Sequence, residues 1–224
     1  GLPKTSRHTR LARLVLLTSA VLALLVGLGA PPAARATTSV VTNLNDSGPG
    51  SLRQTIADAA PGDTITFGVT GTILLTSGEL VVNKNLTLNG PGAASLSISG
   101  NLAVPVLERV INNSAKLTIS GLTIRSGTAL SGGGILNSGD LTITDSVITD
   151  NRARGEGGGI FNSGTLHVTN TTLSSNLTEL FNATDASGAG IYNTGTATIS
   201  NSTFSGNLVH DNGSALFNGA TATV

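Results

Sequence analysis

Over residues 141–149 the apolar side chains Leu141, Ile143 and Ile148 face one way, while Thr142, Thr144 and Thr149 face the other. A period of two is the pattern of a half-buried strand. Each such run is four or five residues long, rich in β-branched residues, and ends at a Gly, Asn or Asp, which predicts short strands joined by tight turns. The runs recur as LTISGLTIRSG from Leu117, LTITDSVITDN from Leu141, LHVTNTTLSSN from Leu166 and ATISNSTFSGN from Ala197. Between them a second phrase recurs: GGGILNSG from Gly132, GGGIFNSG from Gly157, GAGIYNTG from Gly188 and GSALFNGA from Gly213, at intervals of 25, 31 and 25 residues. The unit is therefore about 25 residues, with six extra residues confined to one copy.

Three short strands and three turns per unit predict an all-β solenoid, a single-stranded parallel β-helix in which each coil buries itself only against its neighbours. Stacking like on like places Ile119, Ile143, Val168, Ile199 and Val224 in one buried column. Ile124, Ile148, Leu173 and Phe204 form a second, and Ile135, Ile160, Ile191 and Leu216 a third. Asparagine tolerates a left-handed backbone and bonds to nearby backbone groups. Corner positions are accordingly expected for Asp145, Asn170 and Asn201, for Asn151, Asn176 and Asn207, and for Asn137, Asn162, Asn193 and Asn218. Two weaker coils precede these, over 65–82 and 86–111. In SLRQTIADAAPGD, Ser51 and Gln54 have the spacing of a capping box. The expectation is an N-terminal cap over 37–63, with a short helix whose Leu52 and Ile56 plug the open core, and the β-helix itself over 64–224.

Residues 1–36 stand apart. Lys4, Arg7, Arg10 and Arg13 precede the apolar stretch Leu14–Gly29, and Ala34-Arg35-Ala36 follows, the order of a cleaved signal peptide. Export to the outside of the cell is the expectation, with no membrane-spanning segment in the mature chain. Beyond residue 36 there are seven basic and twelve acidic residues, a net charge of −5, so the basic footprint of a nucleic-acid-binding protein is absent. The chain has no cysteine and hence no disulfide framework. Stability has to come from burial and backbone pairing.

The stretches DSGPGSLRQTIADAAPGDTITF and GELVVNKNLTLNGPGA, followed by GLTIRSG and the GGGI/FNSG coils, resemble secreted bacterial right-handed parallel β-helix proteins. The repeats also resemble those of polymorphic outer membrane proteins, whose motifs are GGA followed by an aliphatic residue and Phe-x-x-Asn. The second motif is intact at Phe204–Asn207, while Ile148 and Leu173 replace the Phe in other coils. The resemblance implies a right-handed coil and a secreted or cell-surface structural or adhesive role. Such coils also carry polysaccharide lyases and hydrolases, so the resemblance is specific for fold and loose for function.

Those enzymes need carboxylates that converge on Ca²⁺ or that face each other at about 5–10 Å. Asp140, Asp145 and Asp150 are five residues apart, up to ~16 Å along an extended chain, and fall at different corners. No catalytic residue, metal site or cofactor is assigned. The binding candidates lie between the second and third strands, in TALS (128–131), RARGE (152–156), LTELFNATDAS (177–187) and LVHDN (208–212), because solenoid insertions gather on one edge. Register collects Arg152, Arg154, Glu156, Glu179, Asp185, His210 and Asp211 there, as an edge for a surface glycan or a protein partner. The sequence breaks off one strand into a coil. Further coils are expected beyond it, as is end-to-end self-association of the chain expressed alone.

Overall fold

The alternation is realised as four stacks of parallel strands in a computed structural model that describes residues 36–101, 108–179, 188–209 and 215–224. Among the described residues the first wall has eight strands, from Thr38–Val41 through Lys116–Ser120 and Asp140–Thr144 to Thr221–Thr223. The second wall has six, from Gly71–Leu74 to Thr203–Ser205, and the third six, from Leu80–Val82 to Leu216–Asn218. All pairings run parallel between successive coils, as in a β-helix.

The predicted columns are in register. Ile119, Ile143, Val168 and Ile199 are paired one above the other and buried. So are Ile124, Ile148 and Leu173, with Phe204 partly buried above them, and Ile135, Ile160 and Ile191, with Leu216 likewise. Val224 does not join its column: it follows the last strand and is 82 % exposed.

Three further differences are informative. The segments read as loops begin with a fourth parallel ladder of two-residue strands, Thr128–Ala129, Arg152–Ala153, Leu177–Thr178 and Leu208–Val209. Two residues are too few to show a period, so no sequence pattern announced it. At the amino end, Thr38–Val41 is already a strand of the first wall, paired with Thr64–Phe67, so part of the expected cap belongs to the β-helix. The helix Leu52–Asp58 follows it and buries Leu52 and Ile56 in the core. Ser51 caps it by accepting from Gln54 N, but the Gln54 side chain donates to Asp58 rather than completing the box.

The third difference concerns the asparagines. Asp145, Asn170 and Asn201 do take the left-handed corner, with φ of 49°, 51° and 47°. The other two columns turn inward. Asn113, Asn137, Asn162 and Asn193 are fully buried, and each Nδ2 donates to the Oδ1 of the next, through Asn218, at 2.6–2.7 Å. Asn151, Asn176 and Asn207 form a second ladder at 2.9–3.0 Å, and each also donates to the carbonyl of the residue that begins its motif one coil earlier: Ile124, Ile148 and Leu173. The left-handed residue is the one before, Asp150, Ser175 or Gly206, and that turn swings the asparagine into the core. A buried amide left unpaired costs about 1–3 kcal/mol, which the ladder avoids.

Two outcomes test this arrangement. Ile143→Asp places an unpaired charge between Ile119 and Val168 and should destabilise by more than about 4 kcal/mol, whereas Thr142→Asp, on the outer face, should stay within about 1 kcal/mol. Equal melting temperatures by circular dichroism would contradict the inward and outward assignment. The Asp63 carboxylate accepts from the backbone N–H of Thr37 at 2.7 Å and of Ala60 at 2.8 Å, and these bonds hold its pKa below the ordinary value. Its contribution is therefore present above the unfolded-state pKa and lost as pH falls through the lower folded-state value. Melts between about pH 6 and about pH 2 should show the wild type losing its advantage over Asp63→Asn on acidification. A constant difference would contradict it.

Candidate functional site

The edge predicted from the loops starts at the two-residue ladder. Arg152 opens the strand Arg152–Ala153, and its neighbour in the next coil is Leu177. The side chain leans toward Glu179, with Nη2 3.2 Å from Oε1. Both side chains are substantially exposed, so the pair is worth about 0–1 kcal/mol and leaves both groups available. Arg154 is exposed and engaged through its own contact, and its backbone N–H donates to Ala129 O. Glu156 accepts from the Ser131 hydroxyl of the preceding coil at 2.9 Å. The structure thus brings Arg152 and Glu179 together and ties Glu156 to the coil before it. Asp185, His210 and Asp211 lie outside the described residues.

Sequence reasoning missed the continuation of this strip toward the amino end. Arg109 forms an ion pair with Glu79 at 2.6 Å and donates to the carbonyls of Gly132 and Ser131, while Asn112 donates to the other oxygen of Glu79. Beside that pair is a recess of about 210 Å³ with Leu130 on its rim, 65 % exposed. No fixed spacing links Glu79 to Arg109, because they belong to the least regular coils, so no repeat pointed to them.

An aromatic column was also missed, although its residues stand in the repeated phrase. Phe161, Tyr192 and Phe217 each follow the inward aliphatic residue of the third wall and so face outward. Their rings stack at 5.4 Å and 4.5 Å, nearly parallel, contributing about 0.5–1.5 kcal/mol per pair beyond burial. The middle ring, Tyr192, is covered on both faces by its neighbours, which makes the column a brace for the third wall.

The carboxylates weighed for catalysis stay apart in function. Asp140 lies 3.6 Å from Lys116, Asp145 accepts from Asn170, and Asp150 accepts from Thr149. Among the described residues no group of three or more His, Cys, Asp or Glu is gathered as for a metal ion. His167 is exposed between Thr142 and Thr198, as its register predicts.

With this geometry in place, residues 145–163 match the Chlamydia polymorphic membrane protein repeat. The matched stretch runs from the left-handed Asp145 through Ile148, the ladder residue Asn151 and the edge residues Arg152, Arg154 and Glu156 to the strand Ile160–Asn162. Its glycines have a steric reason: Gly157 has φ of +67°, and a Cβ on Gly159 would come 2.5 Å from the carbonyl oxygen of Gly190. No curated protein and no solved structure matches the chain. No helix among the described residues is long and apolar enough to cross a membrane.

Proposed function

We propose that this chain is a bacterial cell-surface β-helix, exported by its first 36 residues and right-handed, whose work is to hold a glycan or protein partner along the edge of Arg152, Arg154, Glu156 and Glu179. Asp185, His210 and Asp211 join that edge by sequence register. The observation that carries the reading is that the repeat match, to a repeat of membrane proteins, contains Arg152, Arg154 and Glu156, all on the edge of an otherwise regular coil. A regular solenoid presents the same wall in each coil, so a specific ligand has to be read by what differs between coils. Those differences are concentrated in the loops.

The test is binding of the labelled chain to a glycan array and to immobilised extracellular-matrix proteins. It is compared with a variant that lacks six residues within 180–187 and carries Glu156→Gln and Glu179→Gln. The expected result is a ligand bound by the wild type and lost at least about tenfold in the variant, with Tm unchanged, because closure entropy varies only slowly with the length of chain between two coils. Equal binding by both would contradict the assignment to this edge. Release of new chain ends from a polysaccharide, abolished by Glu179→Ala, would replace the reading with that of a polysaccharide lyase or hydrolase.

A further inference from the structure

Residues 36–224 contain seven cationic side chains, all of them described. Arg53, Arg109, Lys116 and Arg152 each pair with an acid, Lys84 donates to the carbonyls of Ala57 and Ala59, and Arg154 is engaged. Arg125 differs. It forms no ion pair among the described residues, and its Nε is buried with no hydrogen-bond partner. Glu108 also has a buried oxygen without a partner, but it neither pairs with Arg125 nor lines the same recess.

Arg125 stands on the outer face of the second wall, one residue beyond the inward Ile124 and three before Thr128, where the loop edge begins. Beside it runs a column of hydroxyls, Thr72, Ser97 and Thr123, one from each of three successive coils. The connection between Leu86–Asn89 and Leu96–Ser99 has six residues, 90–95, where the equivalent connection in the next coil has two, 121–122. The longer connection folds over the wall, and the Thr123 hydroxyl donates to Ala93 O at 2.8 Å. The result is a recess of about 300 Å³ bounded by that turn, the hydroxyl column and Arg125.

We propose that this recess binds an anionic saccharide, with the Arg125 guanidinium on its carboxylate or sulfate. The planar guanidinium offers a two-pronged donor set that matches either anion. The hydroxyls supply reversible donors and acceptors for ring hydroxyls, and the Ala93–Ala94 turn gives a small apolar surface for a ring face. Because residues 36–224 carry a net charge of −5, a long polyanion is repelled at a distance, so short oligomers are the better ligands.

The experiment is calorimetric titration of the chain with trigalacturonate, with a heparin-derived tetrasaccharide and with neutral maltotriose. Arg125→Gln, Arg125→Lys and Arg152→Gln are titrated in parallel, and each variant's fold is checked by circular dichroism. At least one anionic probe should bind, and the better of the two names the anion. Arg125→Gln should weaken that binding about tenfold or more, and Arg125→Lys, which keeps the charge but not the planar fork, should weaken it less. Arg152→Gln should leave it unchanged, which separates this recess from the edge proposed above. Failure of both anionic probes, equal binding of maltotriose, or binding that survives Arg125→Gln would overturn the proposal. Loss confined to Arg152→Gln would overturn it too, while leaving the edge reading intact.

Discussion

Parallel, in-register stacking is the constraint from which the rest of this structure follows. Each residue's neighbours along the axis are its own counterparts one coil above and below, so a side chain is kept only if it tolerates its own kind at strand spacing, about 4.8 Å. Aliphatic side chains meet that condition by packing, and the rings of Phe161, Tyr192 and Phe217 meet it by stacking. Asparagine meets it inside the core because its amide is donor and acceptor at once. Asn137 gives its Nδ2 to Asn162, and Asn162 gives its own to Asn193. A buried aspartate column would set like charges against each other. Register is thereby fixed twice over, since a slip by one residue would turn the aliphatic columns outward and break both amide ladders.

Much of this was legible in the chain because period and burial coincide. The alternation at Leu141, Thr142 and Ile143 named the inner and outer faces, and the 25-residue interval then set the columns. Asparagine was ambiguous by its own chemistry. The property that suits Asn170 to a left-handed corner, a short side chain that bonds to backbone, also suits Asn162 to a buried ladder, and spacing does not distinguish the two. The two-residue strands were below the length at which alternation exists. Val224 was assigned by extrapolating the column of Ile199 one coil further, and the strand there closes one residue earlier, at Thr223.

The candidate sites divide along the same line. Arg152, Arg154, Glu156 and Glu179 were found because they fall where the repeat length changes, and the structure pairs Arg152 with Glu179 across neighbouring coils. Arg125 was invisible because its environment is assembled from Thr72, Ser97 and a turn of unusual length, in coils where the repeat is weakest. The general lesson for such a solenoid is physical. Regular positions maintain the scaffold, and departures from regularity in loop length or in charge pairing mark where something other than the next coil is to be met.

The central claim, that inward asparagines hold successive coils together, is tested most directly by NMR hydrogen exchange of the side-chain amides. The account predicts slow exchange for the Nδ2 protons of Asn137, Asn151, Asn162 and Asn176, comparable to the backbone amides of the walls, and fast exchange for the exposed Asn170. Uniformly fast exchange of all five would mean that the ladders are not a fixed part of the core, and would contradict the account.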